Sequence, residues 1–146
     1  MKKFHTDWQA ESSASAEAIR VLPALLRHWF QHGDHVIQPR TSEKRLHEFR
    51  LATKRARYTL ELFEPLFGTV IRQHLDGLKK VQQVLGQLND CQTSLELLKE
   101  LPTPCDAAWI DAIKLRRDKK RGDFTQMWLD EFADESRRES WLLALI

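Results

Sequence analysis

The sequence predicts an all-α fold, a four-helix bundle with a short further helix at its C-terminus. Apolar residues recur at three-to-four spacing over long stretches, as they do on the buried face of a helix. No stretch alternates polar and apolar residues in the manner of a strand, and the 146 residues include only five glycines and five prolines. Long helices joined by short connections are typical of a bundle.

The overall composition limits the class of protein. A chain of this length forms one ordinary domain, and 42% apolar with 30% charged residues is a globular balance. The net charge is only +2, so attraction to an acidic partner depends on where the charges lie. Cys91 and Cys105 show no paired spacing, and no apolar run has the length of a signal peptide or membrane span. These features favour a cytoplasmic protein with free thiols and no membrane partner.

The first half of the chain divides into an arm and two helices. We expect residues 1–13 to be a flexible arm and residues 14–146 to form a single bundle. The first predicted helix runs from about residue 14 to residue 31, with Pro23 kinking it or marking its true start. A connection containing Gly33 and Pro39 follows. The second helix begins at Thr41 or Ser42 as N-cap and ends within 65–68. The first helix has this predicted apolar stripe: Ile19, Leu22, Leu26, Trp29 and Phe30.

The second half contains a long helix and a shorter one. The third predicted helix spans about 69–100, and a fourth runs to about Phe132. Thr103 as N-cap, with Pro104 in the first turn, gives a start signal for the fourth. A short helix is expected after Ser136. The core stripe of the third helix is Leu75, Leu78, Val81, Leu85, Leu88, Leu95 and Leu98.

One face of the second predicted helix is rich in cations. Each residue advances by about 100°, which places an apolar stripe of Phe49, Ala52, Ala56, Leu60 and Phe63 on one side. The opposite side carries five residues that we call the basic ladder: His47, Arg50, Lys54, Arg57 and Tyr58. Cations in one row repel each other. Glu61 relieves part of this repulsion and a bound anion would relieve the rest; a solvated charged face fits the spacing equally well.

The third and fourth predicted helices offer further polar faces. Opposite the leucine stripe of the third lie Lys79, Gln82, Gly86, Asn89 and Asp90. Gly86 costs about 1 kcal/mol relative to alanine in mid-helix, and we expect it to permit close approach of another helix. We expect Asp90 to orient Arg50 or Arg57; an ordinary amphipathic helix with one packing glycine is the alternative.

In the fourth helix, two cations interrupt an apolar stripe. Arg117 and Lys120 fall in line with Trp109, Ile113, Phe124 and Met127. This pattern is consistent with a bundle that opens onto a charged groove, although a solvated run of charges is the commoner explanation.

The two polar segments together resemble the CHAD family, the conserved histidine α-helical domain. The signature helix of that family matches His47, Arg50, Lys54, Arg55, Arg57, Tyr58 and Glu61. Its second motif matches Leu78-Lys79-x-Val81-Gln82-x-x-Leu85-Gly86-x-Leu88-Asn89-Asp90, with Val81 where leucine is usual. The resemblance implies an all-helical fold that binds inorganic polyphosphate through lysines and arginines, without catalysis or cofactor.

Carried over by position, the resemblance assigns roles to individual residues. The expected polyphosphate contacts are His47, Arg50, Lys54, Arg57 and Lys79, together with Tyr58, and with Arg55 to the side of the ladder. Arg117 and Lys120 on the fourth helix are further expected contacts, which rest on the interrupted apolar stripe and not on the resemblance. The expected orienting residues are Glu61, Gln82, Asn89 and Asp90.

The chain departs from the family pattern in carrying one bundle where two are usual. Its Tyr58, Glu61 and Asn89-Asp90 resemble the second half. Either two copies pair to rebuild the double bundle, or one chain binds as a half-site. We favour a homodimer, for which the apolar tail 141–146 is available unless it closes the bundle. Association with polyphosphate granules in the cytoplasm would follow.

Two other functions compete with polyphosphate binding. A metal-dependent phosphohydrolase would use His28 and His32, one helical turn apart, with His35. Gly33 is expected to end the helix before His35, and Asp34 has no carboxylate partner, so we favour surface histidines and predict no metal site.

Other features also argue against catalysis and against nucleic-acid binding. The cations beside His47 would repel a metal ion, and no nucleophile–base pair or glycine-rich phosphate loop is present, so we predict no enzyme. A nucleic-acid binder is disfavoured because Tyr58 is the only aromatic residue on the ladder.

Overall fold

The computed structural model describes residues 3–9, 11–104 and 106–146. Within these ranges the chain forms six α-helices and no strand, which confirms the all-α prediction; Cys105 lies outside them. The helices are α1 (Ala14–Val36), α2 (Glu43–Leu62), α3 (Glu64–Phe67), α4 (Thr69–Lys99), α5 (Ala107–Glu131) and α6 (Glu135–Leu143).

The four long helices pack around an aromatic core. Helix α4 lies between α2 and α5, and α1 packs on α2. At the centre, the Trp29 ring stacks on Phe49 at 5.9 Å and meets Trp128 edge-on at 5.1 Å, which joins α1, α2 and α5. Every residue of the predicted stripe of α4 is buried except Leu98, which is half-buried. Ile19 of the predicted α1 stripe is instead 48% exposed.

Helix α1 runs through both residues that were expected to interrupt it. Pro23 lies buried inside the helix, and the helix continues to Val36, five residues beyond the predicted end. Gly33 does not terminate it. A Cβ atom added there would lie 2.0 Å from Cζ2 of Trp128, so this glycine allows the indole of α5 to pack against the backbone of α1.

The boundaries of α2 and α5 are set by identifiable capping residues and by Pro65. Ser42 accepts a hydrogen bond from the backbone N–H of Arg45, as predicted for the start of α2. Helix α2 ends at Leu62, earlier than predicted, because Pro65 opens the separate helix α3. The predicted start of α5 at Thr103 is wrong. Asp106 is the N-cap, since its carboxylate accepts the N–H of Ala108 at 2.9 Å.

The C-terminal segment closes the bundle. Trp141 stacks on Trp29 with ring centroids 6.1 Å apart, and Leu145 is fully buried. Asp34 of α1 accepts two hydrogen bonds from Arg138 of α6, at 2.8 and 2.6 Å. The apolar tail is therefore largely used within the chain and not available for pairing, although Leu143 and Ile146 stay exposed.

The described part of the arm lies along α1 and α2. Phe4 packs against the core, and its ring lies 5.6 Å from that of His28. The backbone N–H of Gln9 donates to Glu17 at 3.1 Å, and the Trp8 ring lies 5.7 Å from that of Phe63. No helix or strand forms over 3–9 and 11–13.

Helix α5 is covered by the bundle only in its C-terminal half. Phe124 and Trp128 are buried, but no side chain from Ala107 to Lys120 is, and Trp109 is 67% exposed. Lys80 of α4 pairs with Glu131 of α5. The first half of α5 therefore lies against the end of α4 as a two-helix hairpin.

Candidate functional site

Helices α2 and α4 bring the two motif segments into contact. Arg57 of α2 reaches Gln82 of α4, and His47 of α2 reaches Asn89 of α4. The chain therefore runs in opposite directions in the two helices. We call the strip between these two contacts the α2–α4 seam.

Arg57 is the most firmly held cation of the seam. Its Nε donates to Oε1 of Gln82 at 2.8 Å, and its Nη1 donates to Oε1 of Glu61 at 2.5 Å. The guanidinium carbon also lies 4.4 Å from the centre of the Tyr58 ring, a cation–π contact. Gln82 and Glu61 are thus placed where they fix the direction of this side chain.

His47 is held more loosely at the other end of the seam. Its Nδ1 donates to Oδ1 of Asn89 at 3.3 Å, and the imidazole is exposed. Asp90 is also exposed, and within the described chain it makes no contact with Arg50 or Arg57. The expectation that Asp90 orients one of these arginines is wrong, because Gln82 and Glu61 already hold Arg57 and Asp90 faces solvent.

Arg50 lies at a cleft between the first half of α2 and the second half of α4. The cleft has a volume of about 380 Å³. It is lined by Glu43, Lys44, Leu46, His47, Arg50, Leu85, Leu88, Asn89, Gln92 and Glu96. The Nε of Arg50 is buried and has no acceptor, and the side chain forms no ion pair with any described residue. This arginine is therefore not neutralised by a carboxylate, although two carboxylates line the same cleft.

Lys79 lies at a second cleft, toward the other end of α2. This cleft of about 510 Å³ is lined by Glu61, Glu64, Arg72, Leu75, Asp76 and Lys79. Nε of Arg72 donates to Glu64 at 3.2 Å. Charges of both signs are therefore interspersed at this end of the seam.

The basic ladder divides between two sides of α2. His47, Arg50 and Arg57 face the seam, whereas Lys54 and Tyr58 line an outer cleft with Trp8 of the arm. The Nζ of Lys54 lies 5.6 Å from the centre of the Tyr58 ring.

Arg55 lies on the same outer side. It lines the outer cleft and donates to the backbone oxygen of Phe4 at 3.3 Å. Arg55 therefore shares the outer side of α2 with Lys54 and Tyr58.

Two predicted contacts on α5 are not brought to the seam. Arg117 and Lys120 are half-buried on the hairpin and line neither seam cleft, and Arg117 donates to the neighbouring Asp118 at 3.2 Å. Among the charged residues of this run, Arg121 is one that reaches the start of α2. It donates to the backbone oxygen of Thr41 and lies 3.8 Å from Glu43. The sequence pattern did not distinguish Arg121 from the other charged residues of this run.

The histidines of α1 are not all on the surface as predicted. His28 and His32 are half-buried and line a cavity of about 140 Å³ beneath Phe4, while His35 is exposed. Burial, and then the charge of His28, lower the pKa of His32 to about 4. Over residues 3–9, 11–104 and 106–146, no three His, Cys, Asp or Glu side chains are grouped as metal ligands. None of the described helices is long and apolar enough to cross a membrane.

The fold and the seam define an all-helical domain in which an ordered arginine joins two antiparallel motif helices. The chain belongs to the CHAD domain family, since the model of that family matches residues 1–99. The match includes α1 to α4 and therefore both motifs, while α5 and α6 lie beyond it. No curated protein and no solved structure matches the chain.

Proposed function

We propose that this protein binds inorganic polyphosphate along the α2–α4 seam and does not catalyse a reaction there. The proposal depends on how the two arginines of the seam are hydrogen-bonded and ion-paired. Arg57 is oriented by Gln82 and Glu61, and Arg50 lies in the neighbouring cleft without a carboxylate partner. They are two helical turns apart, about 10 Å along the axis, so a chain of phosphates can contact both.

The chemistry of the two arginines suits phosphate oxygens. A guanidinium presents several N–H donors in a fixed plane and pairs with phosphate through short, charge-assisted hydrogen bonds. Orientation of Arg57 before binding reduces the side-chain entropy lost on binding. Lys54 adds a positive charge on the outer side of α2. Binding to a flexible polyanion should weaken as salt increases, because counterions are released.

Carboxylates lie at both ends of the seam and limit the length of the proposed binding site. Glu43 and Glu96 line the cleft at Arg50, and Asp76 and Glu64 line the cleft at Lys79. A polyanion is repelled by these groups and attracted by the cations between them. The proposed site is therefore short, centred between Arg50 and Arg57.

Calorimetric titration with polyphosphate of defined length, at two salt concentrations, tests the proposal. The wild type should bind more weakly at higher salt, and Arg50→Ala/Lys54→Ala/Arg57→Ala should abolish binding. The matched control is Lys114→Ala/Arg116→Ala/Lys119→Ala, which removes the same charge from exposed positions of α5. A folded wild type that does not bind, or equal losses in both triple variants, would contradict a specific site at the seam.

The absence of catalysis and the place of action are tested separately. Incubation with polyphosphate should release no orthophosphate, with or without added divalent cations. A fluorescent fusion should lie in the cytoplasm and gather at polyphosphate granules, and the seam triple variant should remain diffuse. Phosphate release by wild type but not by the seam variant would show an enzyme instead.

We further propose that two copies pair, and the hairpin of α4 and α5 supports this. Four large apolar side chains near its end are more than half exposed: Leu97, Leu101, Trp109 and Leu115. Burial of such side chains against a second copy is favourable. Light scattering at micromolar concentration should give twice the monomer mass, and Trp109→Ser/Leu115→Ser should restore the monomer. A wild-type mass equal to that of one chain would exclude pairing.

A further inference from the structure

Gly86 lies on α4 between Gln82 and Asn89, and its neighbours Leu85, Leu88 and Asn89 line the cleft at Arg50. It shares one face of α4 with Gln82 and Asn89, the residues that contact Arg57 and His47 of α2. Because the helices run in opposite directions, the part of α2 that faces Gly86 lies between His47 and Arg57. That part contains Arg50, whose buried Nε has no hydrogen-bond acceptor.

Packing does not explain this glycine. A Cβ atom at Gly86 would have no heavy atom of a neighbouring element within 4 Å, whereas one at Gly33 or Gly77 would lie within 3 Å of a tryptophan ring. The expectation that Gly86 permits close approach of another helix is therefore wrong. Its backbone is ordinary helix, without the positive φ found at Gly68. The residue destabilises the helix relative to alanine and gains no contact in return.

We propose that Gly86 keeps open a gap in which one phosphate group of the bound chain lies against the backbone of α4. This inference rests on polyphosphate binding at the seam. The N–H of Gly86 is already used within the helix, so the glycine contributes space and no hydrogen bond. A phosphate in the gap approaches Arg50, with Arg57 and His47 toward either side. Any side chain at position 86 occupies the same space.

Substitution at two comparable glycines tests the role. Gly122 is also within a helix, also has open space at its Cβ position, and lies on α5 away from the seam. Gly86→Ala and Gly122→Ala should both raise the melting temperature, because alanine favours the helix and neither methyl group meets a neighbour. Gly86→Ala should weaken polyphosphate binding several-fold and Gly86→Leu more than tenfold. Gly122→Ala and Gly122→Leu should bind as the wild type does.

The variants separate this inference from the proposed function. Neither substitution at position 86 removes a charge. A loss of affinity in a variant that is more stable than the wild type therefore shows that the new side chain occupies the space that the phosphate needs. Suppose that the wild type binds polyphosphate and the Arg50/Lys54/Arg57 variant does not. If Gly86→Leu then binds as tightly as the wild type, the role of Gly86 is refuted and the seam remains the site. If the folded wild type does not bind polyphosphate, both are refuted.

Discussion

Arg57 of α2 and Gln82 of α4 are joined by a hydrogen bond from Nε to Oε1 at 2.8 Å, and this contact links the two CHAD motifs. Glu61 holds the same guanidinium from one turn further along α2. The amide bonds the arginine without neutralising it, and the single carboxylate is one-third exposed. The arginine is therefore ordered and keeps N–H donors for an anion.

Replacing Gln82 should weaken polyphosphate binding without unfolding the protein. Gln82→Ala removes the acceptor of Arg57 Nε, so the guanidinium regains rotational freedom that binding must then restrict. We expect a loss of roughly 3- to 10-fold in affinity, in line with about 1 kcal/mol for one hydrogen bond. Titration calorimetry measures it. The adjacent and exposed Gln83 supplies the control; equal losses in Gln82→Ala and Gln83→Ala would show that orientation of Arg57 is irrelevant.

Gly33 should not tolerate a side chain. Gly33→Ala places a methyl group 2.0 Å from the Trp128 ring, so α1 and α5 must separate. Such overpacking costs typically 1–3 kcal/mol of the free energy of unfolding, measured by urea denaturation. Gly122→Ala, where nothing lies within 4 Å, should instead stabilise by about 0.5 kcal/mol. A neutral Gly33→Ala would mean that the indole does not pack on this backbone.

The Asp34–Arg138 pair should make stability depend on acid pH. Burial acts to raise the pKa of Asp34, but hydrogen bonds from Arg138 and Trp128 outweigh it and the pKa is lowered. A carboxylate with a lowered pKa stabilises the fold above its ordinary pKa and loses this contribution as the pH falls through the lowered value. The side chain of Asp34 is 43% exposed, so we expect about 1 kcal/mol.

Urea denaturation of Asp34→Asn at several pH values checks this. The variant should be less stable than the wild type at pH 7, and the difference should shrink as the pH approaches 3. Asp123→Asn, exposed on α5, serves as the control. A difference that is constant with pH would show that the charge of Asp34 is not what stabilises the contact.

His32 should give a second pH dependence, at higher pH. Its pKa in the fold is about 4, below the ordinary 6.5, because burial disfavours the charged ring. Between these two values the unfolded chain binds the extra proton, so stability should rise with pH from about 4 to 6.5, by at most about 3 kcal/mol. His32→Phe should flatten this rise, as followed by urea denaturation across the range. His35→Gln controls for loss of an imidazole, and an unchanged slope in His32→Phe would contradict the assignment.

Much of the fold can be predicted from local sequence patterns. The spacing of leucines in α4 predicted its buried face, and Ser42, one of the two residues predicted as the cap of α2, is the cap, because both features depend on residues within a few turns of one another. The family motifs likewise named Gln82 and Glu61 as orienting residues, and the helix packing brings both to Arg57. Boundaries at Gly33 and Thr103 were predicted wrongly.

The wrong boundary at Gly33 has a long-range physical cause. A glycine such as Gly33 is typical of a helix end. Here the indole of Trp128, ninety-five residues away in sequence, occupies the space left by the missing side chain. The same holds for Asp34, which finds Arg138 only after α6 folds back onto α1. Gly86, which the sequence suggested as a packing glycine, has open space at its Cβ position instead.

The sequence by itself determined the long helices, the buried face of α4 and the row of cations on α2, since these follow from the helical period and the chemistry of each side chain. Only the tertiary structure decided how that row is used. It turned His47, Arg50 and Arg57 toward α4, tied Arg55 to the arm, and left Arg117 and Lys120 on the hairpin. Which cations share a cleft depends on helix register and crossing, and these are set by side chains that meet across the core from distant parts of the chain.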